Sequence, residues 1–114
     1  MLLPHPLPDD LVELIARRFR VIGEPMRIRL LDRLRDEGEA TVNDLADAAG
    51  ASQQNISKHL TVLADAGILA RRKEGTHVYY RIADQGVFAL CEQVCGSLQE
   101  QLRMLDSLIG GGRR

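Results

Sequence analysis

A chain of 114 residues with a formal net charge of −1 has the size of one domain, and its global charge does not indicate a nucleic-acid partner. No apolar run approaches the roughly 18 residues of a membrane span, and residues 1–8 lack the features of a secretory signal. We therefore expect a cytoplasmic protein with no membrane partner, in which Cys91 and Cys95 form no structural disulfide.

The charge is unevenly distributed along the chain. Residues 52–81 carry five cations and two carboxylates, a net charge of +3, whereas residues 1–51 have a net charge of −3. A local basic segment on a nearly neutral chain is typical of a small DNA-binding module rather than of a basic tail or a membrane-surface protein.

Two amphipathic helices are predicted in the first third of the chain. Three prolines make residues 1–8 extended and flexible, and a helix follows over residues 9–22, with acidic residues at its N-terminus. The second helix begins at Pro25, whose missing N–H suits the first turn, and ends at about Glu37. One side of the first helix carries Leu11, Leu14, Ile15, Phe19 and Ile22, and the predicted buried stripe of the second helix is Ile28, Leu31 and Leu34, supported by Leu30.

Residues 41–65 have the pattern of a helix-turn-helix. Thr41 and Asp44 form a capping-box pattern that begins a short helix, and Gly50 can adopt the positive φ of a sharp turn. Ser52 is a good N-cap for the next helix, which Gly67 closes. Two short helices joined by a few residues with a glycine are typical of this motif. The predicted inward side chains are Val42, Leu45 and Ala49, then Ile56, Leu60 and Leu63.

The opposite face of the second of these helices is rich in amide, hydroxyl and cationic groups, with no carboxylate before Asp65. Amides can bond base edges, and lysine can approach phosphate. The same composition is also found on solvated helix faces, and only the neighbouring elements favour DNA binding. The face carries Gln53, Gln54, Asn55, Ser57, Lys58 and His59.

A two-stranded hairpin is predicted next. Residues 68–70 begin one strand, residues 78–82 form the other, and Gly75 supplies the turn. Tyr79 and Tyr80 alternate faces, so at least one is predicted to lie in the core. A hairpin directly after a helix-turn-helix is a winged helix. Further cations and polar side chains on this hairpin are Arg71, Arg72, Lys73, Thr76 and His77.

The last predicted helix runs from Asp84, its N-cap, to Ile109 and is about 39 Å long. It could fold back on its own domain, but we favour pairing with its two-fold mate, beside the first helix. The predicted fold is mainly α with a small β-hairpin: a winged helix-turn-helix of about five helices and a two-stranded wing. It spans residues 9–109, with a DNA-binding core at 41–82, dimerisation helices at 9–22 and 84–109, and a flexible tail at 110–114. The predicted seam of the last helix is Val87, Cys91, Val94, Leu98, Leu102, Leu105 and Ile109.

Several stretches, in order and correctly spaced, resemble the signatures of the ArsR/SmtB family of bacterial winged-helix repressors. They are GEPMRIRLL at 23–31, DLA at 44–46, SQQNISKHL at 52–60, DAGIL at 65–69 and GTHVYYR at 75–81. The resemblance implies a homodimeric transcriptional repressor, not an enzyme, that an inducer releases from a palindromic operator. The helix after Ser52 is then expected to enter the major groove, with the wings toward adjacent phosphates or the minor groove.

This implied arrangement divides the candidate DNA-binding residues by role. His59 has a second interpretation, as a partly buried helix residue bonded to a backbone carbonyl. The base-edge or sugar-phosphate candidates are Gln53, Gln54, Ser57 and His59; the phosphate candidates are Lys58, Arg71, Arg72 and Lys73; Thr76 and His77 come from the wing, and Ser52 and Asn55 from the start of the helix.

The metal sites of many relatives are incomplete in this chain. Where those relatives have Cys-x-Cys, this sequence has Thr41-Val42-Asn43. Others bind zinc-like ions through Asp and His of the last helix, but here only Asp84 is present and three or four ligands are normally needed. We expect neither site and no required cofactor.

Cys91 and Cys95 remain as the candidate inducer sensor, since residues at i and i+4 lie on one helix face. They are either small core residues or a sensor for a soft metal ion or a thiol-reactive inducer, completed by the partner chain. A dithiol enzyme is disfavoured because the chain has no Cys-x-x-Cys and no Gly-rich phosphate loop. Two alternatives remain: a regulator with no sensing site of its own, and a protein-interaction module.

Overall fold

The computed structural model describes residues 3–110 and divides into two compact units, one ending at Ala83 and the other beginning at Asp84. Residues 3–8 form no helix or strand, and the remainder of the expected flexible ends, residues 1–2 and 111–114, lies outside the described residues. No helix between residues 3 and 110 has both the length and the apolar character needed to cross a membrane. The elements are α1 (Asp9–Ile22), α2 (Pro25–Glu37), β1 (Glu39–Thr41), α3 (Val42–Ala49), α4 (Gln53–Asp65), β2 (Leu69–Glu74), β3 (His77–Ile82) and α5 (Gly86–Gly110).

Local capping explains why the helix-turn-helix begins and ends as predicted. Thr41 Oγ1 accepts from the N–H of Asp44 at 3.1 Å, and the Asp44 carboxylate accepts in return from the N–H of Thr41. Gly50 has a φ of 64°, in the left-handed region, and ends α3. Ser52 Oγ accepts from the N–H of Asn55 at 3.1 Å and begins α4. The predicted winged helix-turn-helix is confirmed.

The sheet has three strands, whereas the sequence predicted two. The strand order is β1-β3-β2, and both pairings are antiparallel. The additional strand β1 pairs Ala40 with Tyr80 of the central strand β3 and leads directly into α3 through Thr41. The wing is therefore joined to the start of the helix-turn-helix by backbone hydrogen bonds.

The core of the first unit is formed by α2, α3, α4 and the sheet. Tyr80 is buried, as predicted for one of the two tyrosines. The prediction for Ile28 was wrong: its side chain is 45% exposed, and Leu30 takes its place, because the buried face of α2 is centred on Leu30, Leu31 and Leu34. Leu14 and Phe19 of α1 are also exposed. The most completely buried side chains are Leu30, Leu34, Leu45, Ile56, Leu60, Leu63 and Ile68.

The second unit consists of α5 and the residues that begin it. The Asp84 carboxylate accepts from the N–H of Gly86 at 2.9 Å, so Asp84 caps the helix although the regular helix begins at Gly86. Cys91 is half-buried, and the apolar side chains that follow it along the predicted seam are exposed in the single chain. They are Val94, Leu98, Leu102, Leu105 and Ile109.

Candidate nucleic-acid interface

A groove of about 810 Å³ runs along the outer face of α4. Because Ile56, Leu60 and Leu63 turn inward and are fully buried, the opposite helical stripe faces outward. Four of the predicted DNA-binding residues meet in this groove. Its lining is Val42, Gln53, Gln54, Ser57, Lys58, Thr61 and Val62.

The groove carries amides, hydroxyls and one cation. Lys58 is exposed and forms no ion pair with any residue from 3 to 110. Sequence reasoning missed Thr61, which extends the polar stripe. Helical spacing could have identified it, because Thr61 lies three residues after Lys58 and four after Ser57.

Two predicted candidates on α4 lie outside this groove. Asn55 is exposed on the other flank of the helix. His59 is half-buried, and its Nδ1 lies 3.0 Å from Arg27 Nη1 and 3.9 Å from Glu24 Oε1. The half-buried state was foreseen as an alternative, but the partner is a guanidinium instead of a backbone carbonyl.

The tip of the wing lies beside the start of α3. Gly75 has a φ of 62° and forms the hairpin turn, so that Glu74 pairs with His77 across it. Thr76 and His77 line a second groove, of about 200 Å³, with Thr41, Val42, Asn43 and Val78. Val42 lines both grooves, so the start of α3 borders both the outer face of α4 and the wing tip.

The wing cations do not have equal freedom to bind phosphate. The Arg72 guanidinium donates to both carboxylate oxygens of Glu39, at 3.1 and 2.8 Å, and to Glu74 at 2.5 Å. It also lies 4.6 Å from the ring centroid of Tyr79. The hydrogen bonds that Arg72 donates hold the pKa of the Glu39 carboxyl below its ordinary value, and the acceptance of these bonds by Glu39 and Glu74 raises the pKa of Arg72.

Arg71 and Lys73 are exposed on either side of Arg72. Arg71 lies over the ring of Tyr80, 5.7 Å from its centroid, and Lys73 has no ion-pair partner among the residues that the structure describes. The sequence predicted the same role for all three cations. Glu39 is distant from Arg72 in the chain, and Glu74 lies beside a turn, where charged residues are common. In the structure Arg72 is paired with carboxylates, whereas Arg71 and Lys73 are accessible.

Several known proteins are similar to this chain. A helix-turn-helix domain family matches residues 22–72. The chain is 38% identical over 87 residues to the arsenic resistance transcriptional regulator ArsR1 of Pseudomonas putida, covering 74% of this chain and 68% of that protein. It also resembles the structure of the homodimeric winged helix-turn-helix DNA-binding domain of Mb0332 from Mycobacterium bovis, a possible ArsR-family regulator. The TM-score is 0.73 with 31% identity, covering 90% of this chain and 94% of that one.

This chain belongs to the ArsR/SmtB family. A third similar protein is the HTH-type transcriptional regulator KmtR of Mycobacterium tuberculosis, 37% identical over 84 residues, or 74% of this chain. The chain spans 64% of the length of KmtR and 59% of the length of the SmtB repressor of Mycobacterium tuberculosis. The family is one of DNA-binding transcriptional regulators. The groove lies on α4, which is the second helix of the helix-turn-helix.

The described residues contain no cluster of three or more His, Cys, Asp and Glu side chains that could hold a metal ion. Cys91 and Cys95 lie one turn apart on α5, the first half-buried and the second exposed, and neither is in a disulfide.

Proposed function

We propose that this chain is a homodimeric, sequence-specific repressor that an inducer releases from a palindromic DNA operator. The observation that carries the proposal is the outer groove of α4, where amides and hydroxyls meet Lys58, a cation with no ion-pair partner among residues 3–110. A helix of this composition fits the major groove, in which amides read base edges while cations approach phosphates.

Exposed apolar side chains on two helices support the homodimer. In α1 these include Leu14 and Phe19, and in α5 they include Leu98 and Leu105, each more than half exposed in the single chain. Large exposed apolar patches commonly mark interfaces. The related Mb0332 domain is homodimeric. A two-fold dimer should bind half-sites about 34 Å apart.

Individual roles follow from the position of each side chain. We assign base-edge contacts to the groove amides and hydroxyls, and phosphate contacts to the accessible cations. Arg72 is already paired with the carboxylates of Glu39 and Glu74, so we assign it to holding the wing and not to a phosphate contact. The base-edge set is Gln53, Gln54 and Ser57, with Thr61 added; the phosphate set is Lys58, Arg71 and Lys73; Ser52, Asn55, Thr76 and His77 contact the DNA backbone at the groove edges.

Gln54→Ala and Lys58→Ala should have different effects on binding. Loss of the Gln54 amide should relax discrimination at one base pair, at a cost of roughly 1–3 kcal/mol, because a bidentate amide contact reads a single base. Loss of Lys58 should weaken binding to all duplexes and reduce the slope of log K against log salt by about 1. Fluorescence anisotropy with operator and single-base variants over a salt series measures both.

Gln93→Ala, an exposed glutamine on α5, is the matched control and should leave both quantities unchanged. Wild-type protein that does not prefer its own promoter over random duplex would contradict the proposed function.

We further propose that the inducer acts on Cys91 and Cys95. Their spacing of four residues places both thiols on one side of α5, and the exposed Cys95 gives an inducer access to the half-buried Cys91. Two chains of a dimer bring four thiols to the complex, and thiolates select soft ions. The arsenic resistance regulator among the relatives supports a soft, thiol-seeking inducer.

The double substitution Cys91→Ser and Cys95→Ser should abolish release of DNA by the inducer while leaving operator affinity unchanged. The reason is that serine keeps the size of the side chain but offers neither a soft ligand nor an oxidisable sulfur. Titrating the DNA complex with arsenite, a soft divalent metal and a thiol oxidant measures the release. If the double variant still releases DNA at the same concentrations, the inducer does not act through these cysteines.

A further inference from the structure

Arg27 connects the junction of α1 and α2 to the middle of α4. Its Nε donates to the carbonyl oxygen of Val21 at 2.6 Å, and its Nη1 lies 3.0 Å from Nδ1 of His59. A guanidinium has only donors, so Nδ1 must be the acceptor in this hydrogen bond. This hydrogen bond requires the tautomer of His59 that carries its proton on Nε2.

The backbone of Arg27 is held in place as well. Glu24, the N-cap of α2, accepts from the N–H of Arg27 at 3.0 Å, and this hydrogen bond lowers the pKa of the Glu24 carboxyl. The same carboxylate lies 3.9 Å from Nδ1 of His59, whose side chain is only 17% exposed. At the α1–α2 junction, Arg27 is therefore held through its side chain by Val21 and through its backbone by Glu24.

A second polar contact reaches the far end of α4 from α1. Arg18 Nη2 donates to the carbonyl oxygen of Ala66, the C-cap of α4, at 3.1 Å. Burial of Ile56, Leu60 and Leu63 selects the inward face of α4, through apolar contacts that are not themselves directional. Hydrogen bonds are directional, so the arginine contacts can fix the exact rotation of α4 within that arrangement.

We propose that His59 is a positioning residue held through Nδ1 by Arg27, and that this pair orients the outer face of α4 for DNA reading. The inference rests on the proposed function and gives His59 a role other than contact with DNA. His59 lies outside the groove that Gln54, Ser57 and Lys58 line, on the flank toward α2. Losing the pair lets α4 rotate, which misaligns those three side chains without removing any of them.

Two substitutions of His59 separate positioning from direct contact. Asparagine places its amide oxygen near the position of Nδ1, whereas glutamine places a polar atom near the position of Nε2. We expect His59→Ala to reduce the ratio of operator affinity to scrambled-duplex affinity about tenfold. His59→Asn should restore most of this ratio, and His59→Gln should not.

Arg27 provides the second half of the test. Arg27→Ala should lower the same ratio by the same factor, and the double variant with His59→Ala should lower it no further, because both remove one interaction. Arg27→Lys should fail to rescue, since one ammonium cannot replace the guanidinium fork. Arg33→Ala is the matched control, because Arg33 is on the same helix and pairs with Glu37 at 2.9 Å.

All variants are measured as full-length protein by anisotropy, with thermal unfolding and salt dependence recorded alongside. A positioning role leaves the melting temperature and the salt slope close to wild type while the operator ratio falls. Rescue by glutamine instead of asparagine, or additive effects of Arg27→Ala and His59→Ala, would overturn the proposal.

Nitrogen NMR of His59 tests the pair without DNA. We expect an unprotonated Nδ1 and a protonated Nε2 in wild type, and a change in the Nδ1 shift in Arg27→Ala. A proton on Nδ1 would refute the inference whatever the operator assays show. If wild-type protein does not prefer its operator but the NMR result holds, the proposed function fails while the Arg27–His59 bond stands.

Discussion

Replacing both Leu98 and Leu105 with glutamate is expected to produce a monomer that binds the operator about 100- to 10,000-fold more weakly. Both side chains lie on the apolar seam of α5 and are 53% and 52% exposed in the single chain. A carboxylate buried at a helix pairing loses its hydration without gaining a partner. A monomer then contacts one half-site and loses the avidity that two linked modules provide. Analytical ultracentrifugation and anisotropy with the operator measure the two effects.

The control places the same two charges on the opposite face of the helix. Gln93 and Ser107 are exposed and lie about half a helical turn away from the seam, so the control variant combines Gln93→Glu with Ser107→Glu. This variant should remain dimeric and bind the operator with an affinity close to wild type. A Leu98→Glu, Leu105→Glu protein that is still dimeric would show that α5 does not form the interface.

Leu60→Ala is expected to lower the free energy of unfolding by about 2–5 kcal/mol. Leu60 is fully buried under the middle of α4, between Ile56 and Leu63, so truncation leaves a cavity that a short helix cannot close. Urea unfolding at a fixed protein concentration measures the change, because the stability of a dimer depends on concentration.

Val62→Ala provides the comparison on the same helix. Val62 is 38% exposed on the groove side, so its truncation should change the free energy of unfolding by no more than about 0.5 kcal/mol. Equal losses for Leu60 and Val62 would mean that α4 does not pack on the core through the stripe that the structure shows.

The candidate site was only partly predictable from the sequence. The groove residues Gln54, Ser57 and Lys58 follow from helical spacing, since burial of one stripe turns the other outward. The sequence predicted Arg72 and His59 as DNA contacts, because a cation on the wing and an imidazole on α4 suit that role. The structure instead bonds Arg72 to Glu39 and His59 to Arg27.

The sequence by itself determined the elements whose causes are local. Capping residues begin α3 and α4, glycines with positive φ end α3 and form the wing turn, and a periodic apolar stripe selects the inward face of α4. Each of these signals acts within a few residues of the chain, where helix and turn geometry fix the distances between side chains. They were sufficient for a winged helix-turn-helix.

Only the tertiary structure decided the remaining features, because each depends on partners distant in the chain. The three-residue strand β1 has no pattern of its own and exists because β3 offers it hydrogen bonds. Glu39 lies 33 residues from Arg72, and Arg27 lies 32 residues from His59. A charged or aromatic side chain with several suitable partners is assigned to one only when folding brings that partner within hydrogen-bonding distance.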